Sequence, residues 1–203
     1  MKSTLINLVL ALCFIIGLVL IFINPIQNYL VAKTIASVEN EQVEVSFDFE
    51  EVQSLTIWDV LKAQVSPKNL SVIGRIHIPS VDMTLPILKG VGESSLVAGA
   101  GTMKPTQQMG TGNYALASHY IEGKSILFGP LHHLQEDDAI FVTDLDYMYE
   151  YKTTLLEVIE ATNIQVIADV ANKTLLTLIT CSDKGTKRLL VQAEFVEKTL
   201  ATP

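Results

Sequence analysis

Cys181 closes the run Thr177-Leu178-Ile179-Thr180-Cys181, and Arg188 follows seven residues on. The stretches Thr174 to Cys181 and Arg188 to Val196 read as two strands joined by the loop Ser182 to Lys187. A hairpin of this kind sets the end of one strand beside the start of the next, so thiol and guanidinium become neighbours by local geometry. A thiolate is a nucleophile. A guanidinium stays charged and presents a fixed fork of donors, which suits an oxygen on which negative charge develops. Arg188 is one of only two arginines in the chain. His119 closes a third apolar stretch, Asn113 to Ser118. Imidazole titrates near neutrality and can both give and take a proton.

The compartment sharpens the meaning of the thiol. Residues 5–23 carry no charge and little polarity, enough to span a bilayer as one helix. The run is too long for the core of a cleaved signal, and Lys2 precedes it without an acidic neighbour. We therefore expect an uncleaved signal anchor with residues 1–4 in the cytoplasm and the remainder outside the cell. Exported thiols usually pair into disulfides. The other cysteine, Cys13, lies within the apolar run and cannot bond to Cys181. A single thiol left over in an exported domain is an accident or a nucleophile.

The elements that must position these residues follow from pattern. Residues 24–48 are polar and without period, a stalk. The domain spans 49–203. It opens with Phe49, Val52, Leu55, Trp58 and Leu61 at helical spacing, a helix covering the core. From Ser71 onward short apolar or alternating runs are divided by turn residues. Strands are expected at 72–79, 83–88, 113–118, 139–143, 147–158, 165–168, 174–181 and 188–196, with helical pieces at 93–98 and 125–134. That texture indicates a mainly β sandwich or barrel.

Composition removes other classes. The net charge of −8 argues against a nucleic-acid partner. No metal-ligand spacing and no cofactor motif occurs, so neither a metal nor a cofactor is expected. His77, His132 and His133 have no spaced carboxylate or cysteine companions and read as strand-surface or solvated residues. No Asp or Glu stands in sequence where it would orient His119, so no triad is claimed.

In the order His119, Cys181, Arg188 the chain resembles the sortases, specifically class A. The resemblance runs over nearly the whole sequence. It is carried by Gly74 to Pro79 with Leu85-Pro86-Ile87, by Asn113 to His119, by Phe128-Gly129-Pro130-Leu131, and by Thr177-Leu178-Ile179-Thr180-Cys181, which matches a Thr-Leu-x-Thr-Cys signature. Ser118 stands where the family often has glycine. The resemblance implies an eight-stranded sortase barrel and a membrane-anchored cysteine transpeptidase. Such an enzyme cleaves Leu-Pro-x-Thr-Gly motifs of surface proteins between Thr and Gly and joins the Thr to an amine of a lipid II-type cell-wall precursor. Cys181 would be nucleophile, His119 proton donor and acceptor, and Arg188, with a backbone donor or Thr180, the oxyanion partner. Thr180, Ala117, Val166, Ile167 and Ile179 would line the substrate groove.

Class C is disfavoured because Thr56-Ile57-Trp58 does not make its lid tripeptide and no second apolar run follows the domain. Class B is disfavoured because only a short stretch separates Glu160 from Lys173, where a long helix would be inserted. Classes D and E stay open. The alternatives from other classes are an extracellular cysteine peptidase or wall hydrolase, and a non-catalytic anchored β-domain. The former usually places cysteine before histidine; the latter leaves the thiol signature unexplained. Some class A sortases bind calcium through carboxylates in the two loops corresponding to 102–111 and 168–173. Here the first has no Asp or Glu and contains Lys104, and the second has Asp169 alone, so calcium-independent activity is expected.

Overall fold

A computed structural model describes residues 71–120, 126–182 and 185–201, together with residue 7. The expected anchor at 5–23, the stalk at 24–48 and the helix over 49–61 lie outside the described residues. No helix among the described residues is long and apolar enough to cross a membrane.

The described chain forms eight strands: β1 (Val72–Ile78), β2 (Met83–Leu88), β3 (Ala100–Thr102), β4 (Asn113–Ala117), β5 (Ala139–Thr143), β6 (Tyr147–Glu160), β7 (Leu175–Ser182) and β8 (Lys187–Leu200). They close into a barrel in the order β1-β2-β3-β4-β7-β8-β6-β5, with β5 pairing back onto β1. One short α-helix, α1 (Glu93–Ala98), links β2 to β3. Three 3-10 turns lie wholly among the described residues: η1 (Pro79–Val81), η2 (Gly129–His133) and η3 (Ile164–Ile167).

Side-chain alternation explains the packing. In β1, Ile76 and Ile78 are buried while Arg75 and His77 are exposed. The same alternation sends Leu116, Leu176, Leu178 and Val191 into the barrel core with Tyr151 and Phe128. β4 and β7 differ: every residue of both is buried. They run parallel, in register from Asn113↔Leu175 to Ala117↔Ile179. Parallel strands covered on both faces read as continuous apolar runs, as these do. Their second face holds a smaller cluster of Ala115, Ala117, Ile179 and Leu190, against which Val166, Ile167 and Ile159 pack.

Two expectations are corrected. Residues 165–168, expected as a strand from their apolar content, lie mostly in the turn η3. The eighth strand is instead β3, three residues long, whose Ala100 and Gly101 carry no strand signal and whose Thr102 is its one β-branched side chain. The helical piece expected over 125–134 contracts to η2, with Pro130 in its first turn.

Candidate active site

Cys181 and Arg188 face each other across the antiparallel β7–β8 pair as direct register partners. Period-two alternation puts Ile179, Cys181, Arg188 and Leu190 on one face of this hairpin. Ala115 and Ala117 of β4 belong to the same face, as their shared cluster with Ile179 and Leu190 shows. Continuing the parallel β4–β7 register by two residues sets His119 opposite Cys181. Two hydrogen bonds hold that alignment: the Ser118 amide donates to Ile179 O at 3.3 Å, and the Thr180 hydroxyl donates to Ser118 O at 2.8 Å. The hydroxyl of Ser118 donates to Gly99 O at 2.6 Å, tying the end of β4 to the end of α1. A glycine there would lack this tie.

On this face an open cleft encloses about 580 Å³, solvent at its mouth included. Ala117, Ile167, Ile179, Thr180, Cys181 and Arg188 line it, together with residues the sequence did not single out, chiefly Met103, Ile159 and Ile164. Val166 does not reach the cleft but packs on the apolar cluster beneath it. The Thr180 side chain is buried and its hydroxyl is engaged with Ser118. The cleft wall formed by η3 is fastened from below. Asn113 Nδ2 donates to Val166 O at 3.0 Å and Ala168 O at 3.1 Å, while its Oδ1 accepts from the Thr177 hydroxyl at 2.7 Å. These contacts satisfy backbone groups that the turn leaves open.

The electrostatics are asymmetric. Cys181 is buried, and burial pushes its thiol up from the ordinary range, while the Arg188 charge pulls it partly back. Arg188 Nη1 donates to Gly185 O at 2.8 Å and Lys187 O at 3.0 Å, so loop carbonyls fix the guanidinium. His119 is 1% exposed. Glu93 Oε1, at the start of α1, lies 3.4 Å from His119 Nε2. This is ion-pair distance for a protonated ring but off the hydrogen-bond line, and neither ring nitrogen makes a hydrogen bond among the described residues. Glu93 is the carboxylate that sequence reasoning missed. It stands 26 positions before the histidine, and only closure of the barrel brings the two together.

No cluster of His, Cys, Asp and Glu able to hold a metal occurs among the described residues. The two loops considered for calcium meet, but through a lysine: Lys104 Nζ lies 2.7 Å from Asp169 Oδ1. Asp169 also accepts the Asn113 amide at 2.8 Å. Both contacts hold its carboxyl below the usual range, Lys104 being the larger cause. Gly112, at φ +58°, makes this possible, since a Cβ there would sit 2.8 Å from the Asp169 carboxylate. The remaining histidines lie elsewhere. His77 Nδ1 is 2.8 Å from the Thr84 hydroxyl, and His132 packs on Tyr120 at 4.6 Å between ring centroids.

A family described as the sortase domain matches residues 76–196. The chain is 40% identical to sortase A of Streptococcus agalactiae, over 95% of this chain and 84% of that one. It is 39% identical to sortase A of Listeria monocytogenes, over 91% and 88% respectively. Among solved structures, the crystal structure of Listeria monocytogenes sortase A superposes with a TM-score of 0.62 at 40% identity, covering 64% of this chain and 91% of that one. Sortase E from Streptomyces avermitilis gives 0.56 at 26%, covering 64% and 91%. Identity is thus higher to the sortase A proteins than to this class E structure. The chain belongs to the sortase family and is a transpeptidase of the sortase A type.

Proposed function

We propose that the chain is a membrane-anchored transpeptidase that cuts Leu-Pro-x-Thr-Gly motifs between Thr and Gly. It then transfers the Thr carbonyl to the amine of a lipid II-type cell-wall precursor. Residues 5–23 serve as the anchor, with the N-terminus in the cytoplasm and the catalytic domain outside. One observation carries the reading: the Cys181–Arg188 register pair lines an open cleft with apolar walls, with the His119 strand locked alongside. The leucine and proline of the motif fit the apolar walls made by Ala117, Ile167 and Ile179, with Val166 supporting them from behind.

The chemistry follows from these positions. The Cys181 thiolate attacks the threonine carbonyl carbon, and Arg188 receives the developing oxyanion. As the C–N bond breaks, imidazolium at His119 gives its proton to the departing glycine amine, leaving a thioester and neutral imidazole. The incoming amine attacks the thioester, His119 takes a proton from it, and the thiolate departs. Because burial raises the thiol, the fraction of enzyme carrying a thiolate at neutral pH is small.

The test is labelling with a Leu-Pro-x-Thr peptide whose scissile group is replaced by a thiol-reactive electrophile. Stoichiometric modification at Cys181, blocked by excess sorting peptide, is expected. Labelling that ignores the peptide sequence would exclude the proposed specificity.

A further inference from the structure

The lining of the cleft includes Cys181 and Arg188 but neither His119 nor Glu93. Glu93, its side chain 62% exposed at the start of α1, stands 3.4 Å from the imidazole Nε2. The ring itself is almost wholly buried, with both nitrogens lacking hydrogen-bond partners among the described residues. A buried imidazole in this condition leaves its polar groups unsatisfied, a cost that proteins usually avoid unless a ligand completes the site. A sorting motif that fills the cleft leaves Glu93, which does not line it, as an exposed carboxylate beside His119, where an acceptor can meet it.

An aliphatic amine reaches a neutral-pH enzyme as an ammonium ion, which cannot attack a carbonyl. It needs a counter-charge to hold it and two protons removed. We propose that Glu93 and His119 together form the acceptor-ammonium subsite: the Glu93 carboxylate binds the incoming cation and hands it to the histidine. This deepens the transpeptidase reading above and rests on it. The step balances as follows. One proton passes from the ammonium to water by way of Glu93, giving the free amine. The amine nitrogen bonds to the thioester carbon, and neutral His119 takes the second proton. The C–S bond breaks, and Cys181 leaves as thiolate. Amide, imidazolium and thiolate result, the last two being the pair that opens the next cycle.

The subsite favours a primary amine carried as a cation and gives no help to an uncharged nucleophile. The experiment uses the full-length chain and its Glu93→Gln variant, with a Leu-Pro-x-Thr-Gly peptide as donor and two acceptors. Triglycine presents an ammonium; hydroxylamine is largely uncharged at neutral pH. For Glu93→Gln, about a tenfold rise in the apparent KM for triglycine is expected. The KM for the donor peptide and the rate with hydroxylamine should stay within twofold of the parent. Glu93→Asp should recover part of the triglycine affinity. Equal losses with triglycine and hydroxylamine would mean that Glu93 only supports the fold or the ring, and would overturn the proposal, as would an unchanged KM for triglycine. Failure of the parent enzyme to form any hydroxamate would instead count against the transpeptidase reading itself.

Discussion

Replacing Arg188 with lysine keeps the charge and removes the fork, which separates the two roles proposed for this residue, lowering the thiol and holding the oxyanion. Arginine has five N–H donors. Nη1 spends its two on Gly185 O and Lys187 O, leaving three on Nη2 and Nε for the cleft. A lysine has three donors on one nitrogen. If two keep the loop carbonyls, one remains, on a shorter stem. The oxyanion then loses at least one charged donor. Loss of one such donor costs about 10²–10³ in kcat, or about 2.7–4 kcal/mol. This cleft is open to water, so the lower end applies, about a hundredfold. The assay is kcat for peptide cleavage measured beside the rate of Cys181 alkylation by iodoacetamide. Alkylation needs thiolate but no oxyanion partner. In Arg188→Lys it should stay near the parent rate while kcat falls. In Arg188→Gln the charge that pulls the thiol down is gone, so the thiol rises further and alkylation at fixed neutral pH should slow as well. A kcat within threefold of the parent in Arg188→Lys would refute the geometric argument. So would alkylation slowed in step with kcat, since charge alone would then account for both.

Enlarging Ala117 to leucine fills the cleft wall opposite Ile179 and should raise KM for the sorting peptide about tenfold, with a stability loss within about 1–3 kcal/mol. Donor titrations and urea melts of the same variant read the two effects. Asn113→Ala leaves Val166 O, Ala168 O and the Thr177 hydroxyl short of a partner. It should cost about 1–3 kcal/mol in urea unfolding and raise KM, because the η3 wall is no longer held. Calcium should neither stimulate nor inhibit: a Lys104 ammonium already sits on Asp169, and one carboxylate cannot dehydrate the ion. Assays with added calcium and with chelator should agree, and a several-fold stimulation would contradict this.

The hairpin that pairs Cys181 with Arg188 was legible because it is local: a six-residue loop between two apolar runs leaves little freedom. The barrel was legible as many short strands, and its outline as a sortase through the Thr177 to Cys181 run and the Asn113 to His119 strand. What the sequence hid was set by tertiary contact. β3 is three residues whose strand character comes from pairing with β2 and β4, not from its own side chains. Residues 165–168 have strand-like apolar content, yet Asn113 draws two of their carbonyls inward and bends them into a turn. Glu93 is an ordinary first-turn carboxylate until α1 is folded against the end of β4. Met103, Ile159 and Ile164 line the cleft from three separate elements or loops, and no sequence spacing links them.

The central claim is that Cys181 carries the acyl group between donor and acceptor. Intact-mass measurement of the full-length chain, mixed with a Leu-Pro-x-Thr-Gly peptide and quenched in acid, tests it most directly. The predicted result is an adduct equal to the peptide portion ending at Thr, located on Cys181 by fragmentation. The adduct should be discharged by hydroxylamine and absent from Cys181→Ala. Product formation at parental rates in Cys181→Ala, or an acyl group found on any other residue, would contradict it.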